Sequence, residues 1–166
     1  MEKIESISIL WSKRKENVDV LSKKLFYSLE YISKEFPEIY SNWYQKGKSL
    51  SEALKNKVAI STDNLKKILE VNVDKEFPNL GIRISLWNGI EEDDKQASFS
   101  ATLGLYTDSE NLKNSFVLDF PEQNCFKMED LKPLITFIYS TFQGESLRIN
   151  GIPCQIQSSD CDEREA

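Results

Sequence analysis

Three alternating runs between residues 80 and 120 constrain this chain more than any other feature. The segment reads LGIRISLWNGIEEDDKQASFSATLGLYTDSENLKNSFVLDF. In the first run Ile82, Ile84 and Leu86 alternate with Arg83, Ser85 and Trp87. In the second, Ala97, Phe99, Ala101, Leu103 and Leu105 alternate with Ser98, Ser100, Thr102, Gly104 and Tyr106. In the third, Phe116, Leu118 and Phe120 take one side, Val117 and Asp119 the other. Successive side chains of a strand point to opposite faces, so each run has one apolar and one mostly polar face. That pattern specifies an antiparallel meander, packed on one side and wetted on the other.

The flanking segments supply what would cover the packed side. Ile7, Ile9 and Trp11 alternate with Ser6, Ser8 and Leu10, which predicts a first strand. Val18, Leu21, Leu25, Leu29, Ile32 and Phe36 recur every three or four residues, predicting a helix with Asn17 as N-cap and Pro37 as stop. Ile39, Tyr40, Trp43 and Tyr44 share helical spacing, so a short helix ending at Gly47 is expected, its aromatics serving the core rather than a recognition surface. Ser49 and Glu52 form a capping box that opens a helix through Leu54, and Ser61 or Thr62 opens another. Leu131, Leu134, Ile135, Ile138 and Phe142 predict a last helix, which Pro133 permits only if it begins near Asp130 or Leu131. Residues 146–156 alternate weakly and suit an edge strand or hairpin. The expected fold class is α+β: an antiparallel sheet of about five strands around the central meander, with helices mainly on one face. One domain over residues 1–157 is expected, with residues 158–166 as an acidic, disordered tail.

Composition narrows the chemistry. The chain contains no histidine, which removes the commonest general base, nucleophile partner and neutral metal ligand. Cys125, Cys154 and Cys161 lack metal-site spacing and make an odd count, so free thiols in a reducing compartment are expected. The N-terminus has no signal-peptide pattern, and no apolar run approaches the length of a membrane span. A cytoplasmic protein with no membrane partner is the expectation. Charge is uneven. Residues 1–60 carry 11 Lys and Arg against 8 Asp and Glu, whereas residues 61–166 carry 10 against 19. An acidic half repels phosphate backbones, which argues against nucleic acid and suits a basic protein partner.

No catalytic constellation emerges. Glu91, Glu92, Asp93 and Asp94 are adjacent, but calcium loops space their ligands at alternate positions around a glycine, so no metal is expected there. A solvated loop or a contact site for a basic partner fits better. Lys46-Gly47-Lys48 lacks the glycine spacing of a phosphate loop. Asp119 is a lone strand carboxylate, a type that usually serves as a hydrogen-bonded structural group. No catalytic residue and no cofactor are assigned.

Two blocks resemble the Immunity protein 52 family of bacterial polymorphic-toxin systems. One is Trp43-Tyr44-Gln45-Lys46-Gly47-Lys48-Ser49 followed by Glu52-Ala53-Leu54. The other comprises Ile84-Ser85-Leu86-Trp87-Asn88-Gly89, then Ala97-Ser98-Phe99-Ser100, Gly104, and Asn114-Ser115-Phe116-Val117-Leu118-Asp119-Phe120-Pro121. Trp11 followed by basic residues also fits. The resemblance runs from Trp11 to Pro121 and stops before Cys125. It implies an immunity protein that binds and neutralises a cognate toxin, of a kind that often looks like a restriction-endonuclease-fold nuclease delivered by contact-dependent or type VI secretion. Such a protein needs no catalytic residues. The candidate contacts are Trp87, Glu91, Glu92, Asp93, Asp94 and Tyr106, placed on the acidic loop and the less apolar sheet face. An adaptor or chaperone for a secreted effector is the alternative, with a carboxylate-type enzyme behind it. The oligomeric state is left open.

Overall fold

The computed structural model describes residues 3–155. The expected tail at residues 158–166 lies outside them. In chain order the strands are β1 (Ser6–Trp11), β2 (Trp43–Tyr44), β3 (Lys57–Val58), β4 (Ile82–Trp87), β5 (Ser98–Leu103), β6 (Asn114–Asp119), β7 (Ser146–Ile149) and β8 (Ile152–Cys154). The helices are α1 (Val18–Glu35), α2 (Pro37–Tyr40), α3 (Leu50–Leu54), α4 (Thr62–Asn72) and α5 (Met128–Phe142). The strands form one sheet in the order β3-β2-β4-β5-β6-β1-β7-β8, antiparallel at every step. The α+β class and the meander β4-β5-β6 agree with the sequence.

The strand count does not agree, because the sheet has eight strands rather than about five. β2 and β3 are each two residues long, too short to show a period of two. Trp43 and Tyr44 are not helical as expected. They sit in β2 and point to opposite faces, Trp43 edge-on to Phe99 and Tyr44 tilted against Trp87. Extended backbone is what lets two adjacent aromatics pack on opposite sides of one sheet. At the other edge, β7 and β8 form a hairpin whose Asn150 and Gly151 both have positive φ, as a type I′ turn requires.

The helices follow their caps. Asn17 accepts from the Val20 N–H, Ser49 from Glu52 and Ser61 from Asn64. α1 buries Leu21, Leu25, Leu29 and Ile32 and ends one residue before Phe36-Pro37. α5 begins at Met128, earlier than Pro133 alone suggests. The Asp130 carboxylate accepts from the Lys127 N–H, and the Asp130 N–H donates to the Lys127 carbonyl, which fixes the start of the helix ahead of Pro133.

On the inner face the apolar rows of β1, β4, β5, β6 and β7 pack against α1, α4 and α5. An aromatic run crosses that face from Tyr40 through Trp43, Phe99, Phe116 and Phe142 to Trp11, with neighbouring centroids 5.2–5.5 Å apart. Tyr31 stacks on Phe137 at 4.2 Å and ties α1 to α5. Of the basic residues after Trp11, Arg14 is structural. Arg14 donates to the Phe142 and Gln143 carbonyls, satisfying the C-terminus of α5. Cys125 is a free, exposed thiol, but Cys154 is disulfide-bonded, a departure from the expectation of free thiols.

Candidate functional site

The outer face of the sheet carries the polar members of each alternating run. Register aligns them in rungs: Ser85, Ser100, Val117, Ser8 and Arg148 share one, and Lys57, Tyr44, Trp87, Ser98, Asp119 and Ser6 share another. In the second rung Trp87 is buried. The chain leaving β2 turns back across it, and α3 lies beside Trp87. Gly47 permits this close approach, since a Cβ there would stand 2.7 Å from the Ala53 nitrogen.

Between that flap and the sheet lies a cavity of about 430 Å³. The flap contributes Lys46, Gly47, Ser49, Leu50 and Ala53. The sheet side contributes Trp87, Gln96, Ala97, Ser98 and Asp119. Each block through which the chain resembles a known family therefore reaches this one place. Trp43-Tyr44 pairs with Trp87, Lys46-Gly47 forms the flap, and Ser98 and Asp119 form the floor.

Asp119 is the site's distinctive group. Its Oδ2 accepts the Ser98 hydroxyl at 3.3 Å, and its main-chain carbonyl accepts the buried Tyr40 hydroxyl at 2.6 Å. Burial pushes its carboxyl pKa up, opposed by the Ser98 hydrogen bond and the Lys46 charge. Burial of Tyr40 in the core, with Asp119 nearby, pushes its phenol pKa well above the ordinary value. Among the described residues Asp119 makes no ion pair. The Trp87 indole N–H is buried and has no acceptor.

The connection from β4 to β5 is built around Asn88, which is 4% exposed. Its amide donates to the Ile39 and Lys95 carbonyls, and its Oδ1 accepts from Ala97 and Ile90. Gly89 follows with φ +72 beneath the Tyr44 ring. Glu91, Glu92, Asp93 and Asp94 are all exposed on this loop, whose Asp94 carbonyl accepts from Gln123. They flank the cavity, because Gln96 lines it and donates to the Glu91 carbonyl.

The six residues expected at a partner surface divide in space. Trp87 and the four acids share one end of the sheet. Trp87 is buried under the flap, at 9% exposure, rather than presented to solvent. Tyr106 lies past the opposite end of β5, about 17 Å or more away at the rise of a strand, with Lys15 5.1 Å over its ring. Sequence reasoning weighed Asp119 as a structural carboxylate and Lys46 as a failed phosphate loop, and placed neither at a site. The usable signal was that Asp119 is the lone carboxylate on the outward positions of the three meander strands.

Among the described residues no group of three or more His, Cys, Asp or Glu is placed to hold a metal, and no helix is long and apolar enough to cross a membrane. The arrangement defines a class: an α+β domain whose polar sheet face carries a partly desolvated recess lined by one carboxylate and one lysine. The model of the family Immunity protein 52 matches residues 6–125, and the chain belongs to that family. Among proteins with curated descriptions, none matches it.

Proposed function

We propose that this protein neutralises a cognate bacterial toxin by binding it through the end of the sheet that carries the recess and the acidic loop. Family membership over residues 6–125 carries the reading, since immunity is what the family is named for. The contacts are Glu91, Glu92, Asp93 and Asp94 around the recess, with Trp87 beneath it as the packed floor and Tyr106 at the outlying margin. The toxin is a nuclease of restriction-endonuclease fold, delivered by type VI or contact-dependent secretion and met in the cytoplasm. An acidic surface complements the basic cleft that such a nuclease needs for its phosphate backbone. Inhibition is by occupancy, without catalysis, cofactor or nucleic acid.

The test is co-expression with the toxin gene encoded beside this one. Cells are expected to survive only when the protein is present, and the pair to co-purify through the toxin domain. Absence of both rescue and complex overturns the proposal. Co-purification through effector regions outside the toxin domain replaces it with an adaptor.

A further inference from the structure

We propose that the recess between α3 and the outer sheet face seats one basic side chain of the partner, lysine or arginine, with the Asp119 carboxylate as its counter-charge. For the partner's identity the inference rests on the toxin-binding reading, whose recognition chemistry it specifies.

Three observations carry it. First, Asp119 is half-buried and receives a single hydroxyl hydrogen bond, at 3.3 Å from Ser98, with no cation paired to it among the described residues. Removing a carboxylate from water is unfavourable unless a partner compensates, and this fold gains no tether from that side chain. Burial raises its pKa, the mark of a charge that lacks solvation. Second, the lining matches an aliphatic stem with a charged head. Leu50, Ala53 and the Trp87 ring offer apolar walls, while Asp119 and Ser98 offer acceptors. Third, the exposed acids Glu91, Glu92, Asp93 and Asp94 lie on the connection that ends at the lining residue Gln96, and they outnumber Lys46, the lining cation that the guest must displace from Asp119.

The first arm of the test needs no toxin. The ¹⁵N-labelled protein is titrated with N-acetyl-arginine amide and N-acetyl-lysine amide, against N-acetyl-glutamine amide and N-acetyl-glutamate amide. Saturable shifts are expected for the two cations at the Trp87 indole and the Ser98 and Asp119 amides, weakened at least about tenfold in Asp119→Asn. The exposed neighbour Glu122→Gln is expected to behave as wild type. No response, an equal response to the neutral amide, or a preference for the anion overturns the inference, and the wild-type titration requires no variant to fold. In the second arm, Asp119→Asn is expected to bind the toxin at least about tenfold more weakly than wild type. Equal binding by that variant, in cells that wild type protects, overturns the inference alone. Failure of wild type to bind or protect overturns the proposed function and leaves the titration standing.

Discussion

Tyr44 occupies the space that a side chain at Gly89 would need: a Cβ built on Gly89 would overlap the Tyr44 ring. This contact joins the two sequence blocks that carry the family resemblance. Gly89 also holds a left-handed φ of +72. Gly89→Ala is therefore expected to destabilise by about 2–4 kcal/mol, from backbone strain plus overpacking. Gly151 has φ +79 but nothing within 4 Å of its Cβ position, so Gly151→Ala is expected to cost only about 1–2 kcal/mol. Urea midpoints of the two variants check the difference, and equal losses refute the role given to Tyr44.

Asn88 satisfies two carbonyls and two main-chain N–H groups from one buried amide. Asn88→Ala leaves those groups unpaired and is expected to destabilise by about 2–4 kcal/mol. Hydrogen exchange should quicken at Ala97 and Ile90 before the rest of the sheet. Uniform acceleration would show that Asn88 does not hold this loop locally.

Asp119 and Glu145 are expected to move stability in opposite directions with pH. The Asp119 carboxyl pKa is raised by burial, so the folded state binds its proton more tightly than the unfolded chain. Its contribution falls as pH rises from the ordinary carboxyl value through the raised one, and is level above that. Asp119→Asn should thus be at least as stable as wild type at pH 7, with its advantage vanishing by about pH 3. The Glu145 pKa is lowered, chiefly by the Ser12 main-chain N–H, and its contribution is lost as pH falls through the folded value. Glu145→Gln should be less stable at neutral pH and converge on wild type in acid. Denaturation midpoints across that range provide the measurement.

The acidic loop is expected to influence association rather than stability. All four side chains are exposed, so converting Glu91, Glu92, Asp93 and Asp94 to their amides should change stability by less than about 0.5 kcal/mol. Association with a basic partner should slow and lose part of its salt dependence, read by stopped-flow at two ionic strengths. An unchanged association rate would remove the loop from the encounter surface.

Local signals made much of the fold legible. The β4-β5-β6 meander and α1 declared themselves by period, and Asn17, Ser49 and Ser61 by cap chemistry. β2 and β3 were hidden because two residues have no period, and Trp43 and Tyr44 happen to continue the helical spacing of Ile39 and Tyr40. The site was less legible for a related reason. Its acidic loop is a local feature, but the recess exists only where the flap from residues 46–53 meets the β5 and β6 strands. Asp119 looks ordinary on its own strand. It becomes unusual once the flap restricts its water and, among the described residues, no cation closes to an ion pair with it.

The place of β1 between β6 and β7 has a consequence for how the molecule is made. β1 leaves the ribosome long before either neighbour exists, and Trp11 must wait for Phe142 to stack on it. Pairings that span most of a chain form late and slowly. Residues 6–125, the stretch shared with the family, contain neither α5 nor β7. Expressed alone, that stretch would present β1 as a bare edge beside an uncovered aromatic floor, a surface that recruits other strands. The closing hairpin is what covers that edge, through the pairing of β7 with β1.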